Sequence, residues 1–462
     1  MNENNTLADG SLKKEKLVIL LLAFSSIHVI TNTAMFTLAL PQVMEQFAIE
    51  TAGASWIITG YTIVLAVSTL AFTRLADYLS PRFLLIFGIM CFGIFSIVGF
   101  FSHSFWMLIA ARLLQAAGAG SISGVALISV SRYVHPKKRG KAVAIILAAN
   151  SLGLGLGPVI GGVITTYIGW SYLFLVTSLV LLSVPVFYLY LPKAPPKKIS
   201  LDFLSAGLIA GGSVTTLLFI TKYNFWALIA SIIIFYSFWR RIKHFNNPFV
   251  QPELFSNKRF ITLVMINVIP YMNSMAILFL FPQFLIREVG LTAAAAGFII
   301  LPGALMTVLT ARIIGSWIDK HGISLILKTS PWVILLGLLL IGLFGYRSIF
   351  TLLILYIFVS VSATSLYTSA TNEIANILPK EQLAAGTGLL LLAKILSGAI
   401  SVGIISSALM LQQDLTLTQA TSNIFIGMGF SMGIGILFSL LYLKLKHSRE
   451  TLQVEMGVNK KV

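Results

Sequence analysis

The sequence predicts an all-α integral membrane protein with fourteen transmembrane helices, arranged as two six-helix bundles with two further helices inserted between them. Three observations predict this fold class. Apolar runs of about 20 residues, the length that crosses a bilayer, recur along almost the whole chain. Lysine and arginine are concentrated in alternate loops between these runs. Two short loop patterns also occur twice, at nearly the same separation.

The composition excludes an ordinary soluble protein. Of the 462 residues, 57% are hydrophobic and 10% are charged, whereas about a quarter of the residues in a soluble domain are charged. The formal net charge of +17 raises the question of a nucleic-acid partner. Because the basic residues lie on alternate loops, the orientation of the protein in the membrane explains the charge, and we predict no nucleic-acid partner.

Apolar runs between polar or Gly/Pro breaks define the spans in chain order. The first run is too long for a signal-peptide core and lacks a small-residue cleavage site, so we predict that it is retained as a span. The fourteen spans are predicted near residues 17–40, 55–73, 83–101, 105–131, 141–167, 171–191, 203–221, 225–239, 260–286, 292–316, 323–345, 349–373, 383–411 and 421–444.

The distribution of basic residues predicts that both termini are cytoplasmic. Loops assigned to the inside contain SLKKEK, HPKKRGK, PKAPPKK, WRRIK, SNKR and KLKHSR, whereas the outer loops hold only Lys222, Arg287 and Arg347. The chain then divides into a tail (1–16), a first six-helix bundle (17–191), linkers with two inserted helices (192–259), a second six-helix bundle (260–445) and a tail (446–462).

An internal repeat supports the two bundles. Asp77 follows the second span and Asp319 follows the tenth, 242 residues later. Pro136 follows the fourth span and Pro379 follows the twelfth, 243 residues later. An offset of eight spans predicts two parallel six-helix halves with the seventh and eighth spans between them, as in one large class of secondary transporter.

The fifth span is rich in glycine around a proline. Gly153, Gly157 and Gly161 are spaced by four residues, and Gly162 follows directly. This spacing allows another helix to approach closely, and Pro158 removes one backbone hydrogen bond and bends the helix. The pattern predicts either tight packing of a bent helix or a seam that flexes between the two halves.

Two sites of charge accompany these spans. Asp77 and Arg82 lie in the loop TRLADYLSPR, and Asp319 has the equivalent place in the second half. An acidic residue there can bind a helix dipole or a basic partner in only one conformation and so act as a latch, or it can be a solvated loop carboxylate.

Arg112 lies within the fourth span, where burial in lipid is costly, so we expect it to face the protein interior and to have a partner.

These stretches resemble the major facilitator superfamily, and specifically its fourteen-span drug:proton antiporter branch, which includes Gram-positive tetracycline and multidrug efflux pumps. GLGLGPVIGG, which begins at Gly153, matches the antiporter pattern GxxxGPxxGG of that family at every specified position. TRLADYLSPR partly keeps GxLADRxGRR, and RLLQAAG at Arg112 resembles RxxQGxG. In the first span, NTAMFTLALP resembles DxTxVNxALP with Asn32 in place of the aspartate, which the tetracycline branch also tends to lack.

The resemblance implies a major facilitator fold and proton-coupled efflux of lipophilic drugs or dyes by alternating access. It implies a role for Arg112 in proton transfer, whereas the residues alone also allow a structural tie to carbonyl groups near the outer surface. We expect a monomer in the bacterial cytoplasmic membrane, in contact with lipid, that uses the proton gradient and no cofactor or metal.

Candidates for proton coupling are few because the spans contain few acidic residues, and we predict Asp77, Glu373 and His28 in addition to Arg112. Glu373 precedes the cytoplasmic break at Pro379, and it is predicted to be either a coupling group or a solvated helix-end carboxylate. His28 lies near mid-membrane and shares one helical face with Ser25 and Asn32, so it can carry a proton or serve as a packing element.

Polar side chains within the spans are the candidates for the substrate cavity. Lys394 lies near the midplane of the thirteenth span, where it can bind an anionic group, snorkel or form a fixed ion pair. Tyr271 and Asn273 lie in a polar, methionine-rich break of the ninth span, which predicts either a cavity wall or ordinary packing. The remaining predicted cavity residues are Asn32, Gln115 and Asn150.

Two other functions remain as alternatives. An exporter or importer of an endogenous metabolite or lipid can have the same fold, because a fold does not fix its cargo. An integral-membrane transferase requires a catalytic cluster or metal motif, and the sequence contains neither HExxH nor a dense acidic loop. The sequence also lacks the GxxxxGK[ST] loop of an ATP-driven pump, and we predict a protein that is not an enzyme and has no catalytic residue.

Overall fold

The computed structural model of the protein describes residues 14–76, 78–192, 202–245 and 250–455. Within these ranges it contains helices and no strand, and fourteen helical segments are long and apolar enough to cross a membrane. The predicted all-α architecture with fourteen spans is therefore confirmed. The helices are α1 (Glu15–Phe47), α2 (Thr51–Leu75), α3 (Pro81–Phe100), α4 (Phe105–Tyr133), α5 (Pro136–Tyr167), α6 (Tyr172–Ser178), α7 (Val184–Tyr190), α8 (Phe203–Lys222), α9 (Phe225–His244), α10 (Lys258–Arg287), α11 (Ala293–His321), α12 (Ser324–Phe344), α13 (Ile349–Ile377), α14 (Lys380–Leu411) and α15 (Leu417–Glu455).

Two spans differ in detail from the expectation. The first helix continues through Pro41 to Phe47, beyond the predicted end at residue 40, and of this added segment only Val43 is buried. The sixth span is divided into α6 and α7 by a 3-10 turn at Leu179–Ser183. Pro185 follows this turn and has no backbone N–H to donate to the carbonyl of Leu181, so the α-helical hydrogen bonding is interrupted there.

Corresponding contacts occur in the two halves of the chain. At the inner end of the first half, Lys14 Nζ donates to Tyr190 Oη at 3.0 Å and lies over the tyrosine ring. In the second half, Arg259 Nη2 donates to Tyr442 Oη at 3.3 Å and also lies over the ring. Each pair joins the first helix of a half to the last, as expected for duplicated six-helix units.

The glycines of α5 bring this helix against α1. Gly153, Gly157 and Gly161 all face α1, and a Cβ atom added to Gly157 would lie 2.6 Å from the Cβ of Ala34. A Cβ atom at Gly161 would lie 2.5 Å from the backbone oxygen of Met35. Both distances are shorter than a van der Waals contact between non-bonded atoms. The packing of α5 on α1 therefore requires glycine at these positions.

On its other face, α5 meets α11 from the opposite half. Gly162 is so close to the backbone of Ala293 that an added Cβ atom would overlap the carbonyl group. The contact is reciprocal, because a Cβ atom on Gly297 would lie 2.5 Å from the backbone oxygen of Pro158. Small residues therefore form the seam between the halves, and its glycines include those singled out from the sequence.

Apolar packing joins the halves at their outer ends. The part of α1 from Met35 to Val43 shares one hydrophobic core with Phe279 and Phe281 of α10. The inner part of α1, beginning at Val18, belongs to a second core built only from residues of the first half. Helix α1 thus contacts α10 of the other bundle over Met35 to Val43, and its earlier part packs within its own half.

The two inserted helices lie against the other seam, between α2 and α14. Leu217 of α8 packs in one small core with Ile63 of α2 and Ala399 of α14. Ser407 Oγ of α14 also donates to the backbone oxygen of Ile220 at 2.7 Å. Helix α8 therefore contacts both halves of the protein.

An ion pair with a buried carboxylate joins the start of α8 to the end of α9. The Asp202 carboxylate caps α8, accepting hydrogen bonds from the backbone N–H and hydroxyl of Ser205 and from Arg241 Nε of α9, the last at 2.6 Å. Burial alone would raise the pKa of Asp202, but the hydrogen bonds from Ser205 and Arg241 hold this pKa below its ordinary value.

We predict that Gly162→Ala disrupts the seam between α5 and α11. The added methyl group overlaps the backbone of Ala293, so the free energy of unfolding should fall by about 1–3 kcal/mol. Thermal unfolding of the purified protein in detergent measures this change. Gly427→Ala is the matched control, because a Cβ atom there meets nothing within 4 Å; equal melting temperatures for the two variants would contradict the prediction.

We also predict that Asp202→Asn loosens the inserted pair of helices. The loss of a charged acceptor should lower the free energy of unfolding at pH 7 by about 1.5–3 kcal/mol. Because the folded-state pKa of Asp202 is depressed, its contribution is fully present at neutral pH and is lost only in acid. Asp414→Asn, in an exposed loop, is the control and should leave the melting temperature unchanged.

Candidate substrate and proton-coupling site

Arg112 lies in the interior of the first half, as the sequence predicts. Its side chain is 1% exposed on α4. Nη1 donates to Asn32 Oδ1 of α1 at 3.1 Å and to Gln115 Oε1 at 2.7 Å. The partners of this arginine are therefore neutral amides, and no carboxylate among the described residues pairs with it.

Two aromatic rings complete the surroundings of Arg112. The guanidinium carbon lies 4.1 Å from the ring centre of Phe36 and 4.0 Å from that of Tyr61. Such stacking on two ring faces stabilises a cation in a desolvated place. Nε is 3.4 Å from the backbone oxygen of Ile57, whereas the buried Nη2 has no partner among the described residues. The arginine is thus tightly held but keeps one donor unused.

The amides that hold Arg112 are themselves fixed by a wider network. Asn32 Nδ2 donates to Gln115 Oε1 at 3.2 Å. Gln115 Nε2 donates to Ser96 Oγ at 2.6 Å and to Thr177 Oγ1 at 3.3 Å. Both amide side chains are fully buried, so neither reaches an open space in this structure. Their observed role is to position the guanidinium.

His28 has one nitrogen available for a proton. Nδ1 lies 2.7 Å from the backbone oxygen of Phe24, so it must donate there, and Nε2 is left as the nitrogen that can accept a proton. The ring is half-buried, whereas Ser25 and Asn32 on the same helix are fully buried. Ser25 Oγ donates to Ser183 Oγ at 3.4 Å. Of the three residues, His28 is therefore the accessible one.

The predicted cavity residue Asn150 lies on α5. The side chain is half-buried, and its Oδ1 is a buried acceptor with no hydrogen-bond partner among the described residues. Gly153, one turn further along the helix, packs on α1. Asn150 therefore offers one unused acceptor near the contact between α5 and α1.

In the second half, Lys394 lies beside two tyrosines. Its Nζ is 4.1 Å from the ring centre of Tyr367 on α13 and 4.7 Å from that of Tyr271 on α10. The side chain is half-buried, and no described residue accepts a hydrogen bond from the ammonium. Three helices thus converge on one cation, and two of the residues were predicted as cavity residues from the sequence.

The polar break in α10 is mostly engaged within the second half. Asn273 is buried, and its Oδ1 accepts a hydrogen bond from Ser431 Oγ at 3.3 Å. Its Nδ2 donates to the backbone oxygen of Ile269 at 3.3 Å. Asn273 therefore fastens α10 to α15, and Tyr271 is the residue of this segment that reaches the Lys394 ammonium.

Glu373 lies in a polar cluster near the end of α13. Oε1 accepts a hydrogen bond from Tyr442 Oη at 2.8 Å and is 3.5 Å from Lys446 Nζ, while Asn376 Nδ2 donates to Oε2 at 3.3 Å. Arg259 binds the same Tyr442 hydroxyl. This carboxylate is buried and fully engaged, so it joins α13 to α15 and is not a solvated helix end.

The predicted latch is only partly visible. Asp77 lies outside the described residues, and of Asp319 only the backbone, near the end of α11, is described. Arg82 is buried, and its Nη1 donates to the backbone oxygen of Leu191 at 3.3 Å. Its guanidinium also lies 4.4 Å from the ring centre of Tyr188, so Arg82 ties α3 to the end of α7.

The sequence analysis did not single out the aromatic members of these sites. They are Phe36 and Tyr61 around Arg112, Tyr367 beside Lys394 and Tyr442 beside Glu373. A tyrosine within an apolar span was the available signal, because its hydroxyl needs a partner when buried. The direction in which each ring points depends on the rotation of its helix, and the sequence alone does not determine that rotation.

Together these groups form a polar interior that carries positive charge. Arg112 and Lys394 lie within the spans, and the described carboxylates lie at or beyond the span ends. The described residues contain no group of three or more His, Cys, Asp or Glu side chains able to hold a metal ion. The described part of the spans therefore offers a bound molecule two cationic side chains and no metal-ligand cluster.

The sequence is similar to those of known membrane transporters. The sequence pattern described as Major Facilitator Superfamily matches residues 22–249 and 263–459. The riboflavin transporter RibZ of Clostridioides difficile (strain 630) is 28% identical over 415 residues, which cover 88% of this chain and 90% of RibZ. The uncharacterized MFS-type transporter YwoD of Bacillus subtilis (strain 168) is 26% identical over 312 residues, which cover 63% of this chain and 67% of YwoD.

Solved structures of transporters show the same fold. A bacterial homologue of the human lysosomal transporter Spinster, in an inward-facing and occupied conformation, has a TM-score of 0.69 at 13% identity, over 94% of this chain and 98% of its own. A POT family transporter in complex with a thioalcohol-conjugated peptide also has a TM-score of 0.69, at 18% identity over 94% and 96%. The chain is thus a multi-pass membrane transporter and not an enzyme, and it belongs to the Major Facilitator Superfamily.

Proposed function

We propose that this transporter exports lipophilic aromatic compounds from the cytoplasm in exchange for protons. It acts as a monomer in the cytoplasmic membrane with both termini inside, in the manner of the fourteen-span drug:proton antiporters. The observation that carries the proposal is the seam between α5 and α11, in which Gly162 and Gly297 pack directly on backbone. Gly162 belongs to the sequence pattern that resembles the antiporters, and Gly297 lies opposite it on α11 of the second half.

The seam supports alternating access. Its contacts come from small residues, apolar side chains and a hydrogen bond from the Ala294 backbone N–H to Thr166 Oγ1 of 2.9 Å. Separating such surfaces breaks few polar interactions. The conformation that is closed to the outside and the one that is open to it can therefore be close in free energy. Substrate and proton then bias the equilibrium between the two states by their differential binding.

Proton coupling has three described candidates. His28 has an available Nε2, Arg112 has an unused Nη2, and Glu373 is held by Tyr442 and Lys446. The energy is sufficient, because one proton moving down 100 mV releases about 2.3 kcal/mol, equivalent to a roughly forty-fold concentration gradient. We assign Arg112 the central role, since its charge is buried without a carboxylate partner among the described residues.

A second candidate function is transport of an aromatic metabolite. The similarity to a riboflavin transporter extends over 90% of that protein. The tyrosines beside Lys394 also offer ring faces for a flat heterocycle. This candidate shares the cavity with the first and differs in cargo, and its net movement can be export or import.

Proton-coupled export predicts a defined response in everted membrane vesicles. An imposed pH gradient, acid inside, should drive accumulation of a lipophilic dye, and a protonophore should abolish it. In liposomes, addition of the dye should cause a proton flux that protein-free liposomes lack. Accumulation of riboflavin in right-side-out vesicles, with no dye accumulation in everted ones, would favour the second candidate.

We predict that Arg112→Ala abolishes coupling. Removal of the guanidinium leaves Asn32 and Gln115 without their shared donor, so proton-driven accumulation should fall by about tenfold or more, equivalent to about 1.4 kcal/mol. Arg112→Lys keeps the charge but not both hydrogen bonds and should be intermediate. Arg347→Ala, at an exposed outer turn, is the control. Normal accumulation by Arg112→Ala, at equal amounts of protein in the membrane, would remove Arg112 from the mechanism.

A further inference from the structure

We propose that Lys394, Tyr271 and Tyr367 form a binding site for an acidic group carried on a flat aromatic substrate. This inference rests on the proposed transport function and deepens it by naming the substrate class. The site lies where α10, α13 and α14 converge, and each of these helices supplies one side chain.

The two tyrosine rings are fixed around the cation. Their centres are 6.4 Å apart and their planes are nearly perpendicular, at 80°. Gly398 of α14 keeps Tyr271 in place, because a Cβ atom there would lie 2.9 Å from the ring. The Tyr367 hydroxyl is 2.9 Å from Thr364 Oγ1. The rings therefore form a preorganised wall, which reduces the entropy lost when a ligand stacks on it.

The ammonium of Lys394 lacks a counter-charge. No described residue accepts a hydrogen bond from it, and the described carboxylates lie at or beyond the ends of the spans. Two ring faces offset only part of the cost of removing an ammonium from water. A bound carboxylate or other acidic group would supply the missing charge and accept the unused hydrogen bonds.

Arg112 provides the contrast that singles out Lys394. The arginine is 1% exposed and is enclosed by two amides and two rings, so an anion cannot reach it without rearrangement. The lysine is half-buried, and within the described part of the chain its charge contacts only the two rings. Lys394 is therefore the accessible cation of the interior.

The surroundings of the two tyrosines suit the aromatic ring system of such a substrate. A small cavity of about 60 Å³ adjoins Tyr367 and is lined by Met275, Ser274 and Leu154, among others. Methionine and aromatic surfaces adapt to flat ligands, and the cavity can take a substituent of the ring system. A cationic ligand, in contrast, would meet the like charges of Lys394 and Arg112 with no described carboxylate to offset them.

Equilibrium binding to the full chain in lipid nanodiscs tests this inference. The probes are 5-carboxyfluorescein, an aromatic anion, and rhodamine 6G, a cation with the same ring core, and fluorescence anisotropy measures both. We expect the anion to bind at least about tenfold more tightly than the cation, a difference of about 1.4 kcal/mol. Tighter binding of rhodamine 6G would overturn the proposal.

Substitutions assign the preference to the site. Lys394→Gln should weaken 5-carboxyfluorescein binding by about tenfold, Lys394→Arg should retain most of it, and Lys222→Gln, an exposed lysine at the end of α8, should leave it unchanged. Tyr367→Leu should weaken binding of the anion more than Tyr367→Phe, which keeps the ring. Unchanged anion binding by Lys394→Gln, or equal effects of the two tyrosine variants, would contradict the proposal.

These measurements separate the inference from the proposed function. Binding at equilibrium needs no proton gradient and has no direction, so anion preference without substrate-dependent proton flux would overturn proton-coupled export alone. Proton-driven export of rhodamine 6G that is unaffected by Lys394→Gln would overturn the substrate class and leave the transport mechanism standing.

Discussion

The hydrocarbon interior of the membrane cannot solvate a charge, and the arrangement of this protein depends on that constraint. Apolar residues cover the spans, and the polar side chains within them turn towards one another. Arg112 shows the result most clearly, because two amides, two aromatic rings and a carbonyl group replace the water that the guanidinium has lost. The same constraint gives the half-buried charge of Lys394 its significance, since among the described residues two ring faces replace the water there.

Movement requires that helices separate without exposing unpaired polar groups. Glycine satisfies this requirement in α5, since Gly161 packs on the backbone of α1 and Gly162 packs on the backbone of α11. The polar networks, in contrast, stay within one half: Arg112 binds residues of the first six-helix unit, and Glu373 binds residues of the second. Each half can therefore move as a unit while its own charged groups keep their partners.

Much of this architecture can be predicted from the sequence, because hydropathy and the distribution of basic residues report directly on the membrane. The number of spans and the interior position of Arg112 follow from the cost of exposing charge to lipid. The broken sixth span was not predicted. Pro185 interrupts the helical hydrogen bonding there, but its effect is confined to one turn and leaves the hydropathy of the span unchanged. The sequence analysis also missed Tyr61 and Tyr367, since helix rotation and neighbours separated by dozens of residues decide which ring meets a cation.

The inserted helices make the two flanks of the transporter unlike each other. Leu217 of α8 packs on α2 from one half and on α14 from the other, so any relative displacement of the halves must shear this contact. On the opposite flank, Leu156 of α5 and Phe298 of α11 are exposed where the bilayer lies. Acyl chains therefore border one seam directly and are screened from the other. A compound dissolved in the membrane can therefore approach the seam between α5 and α11 directly, whereas α8 lies between it and the seam of α2 and α14.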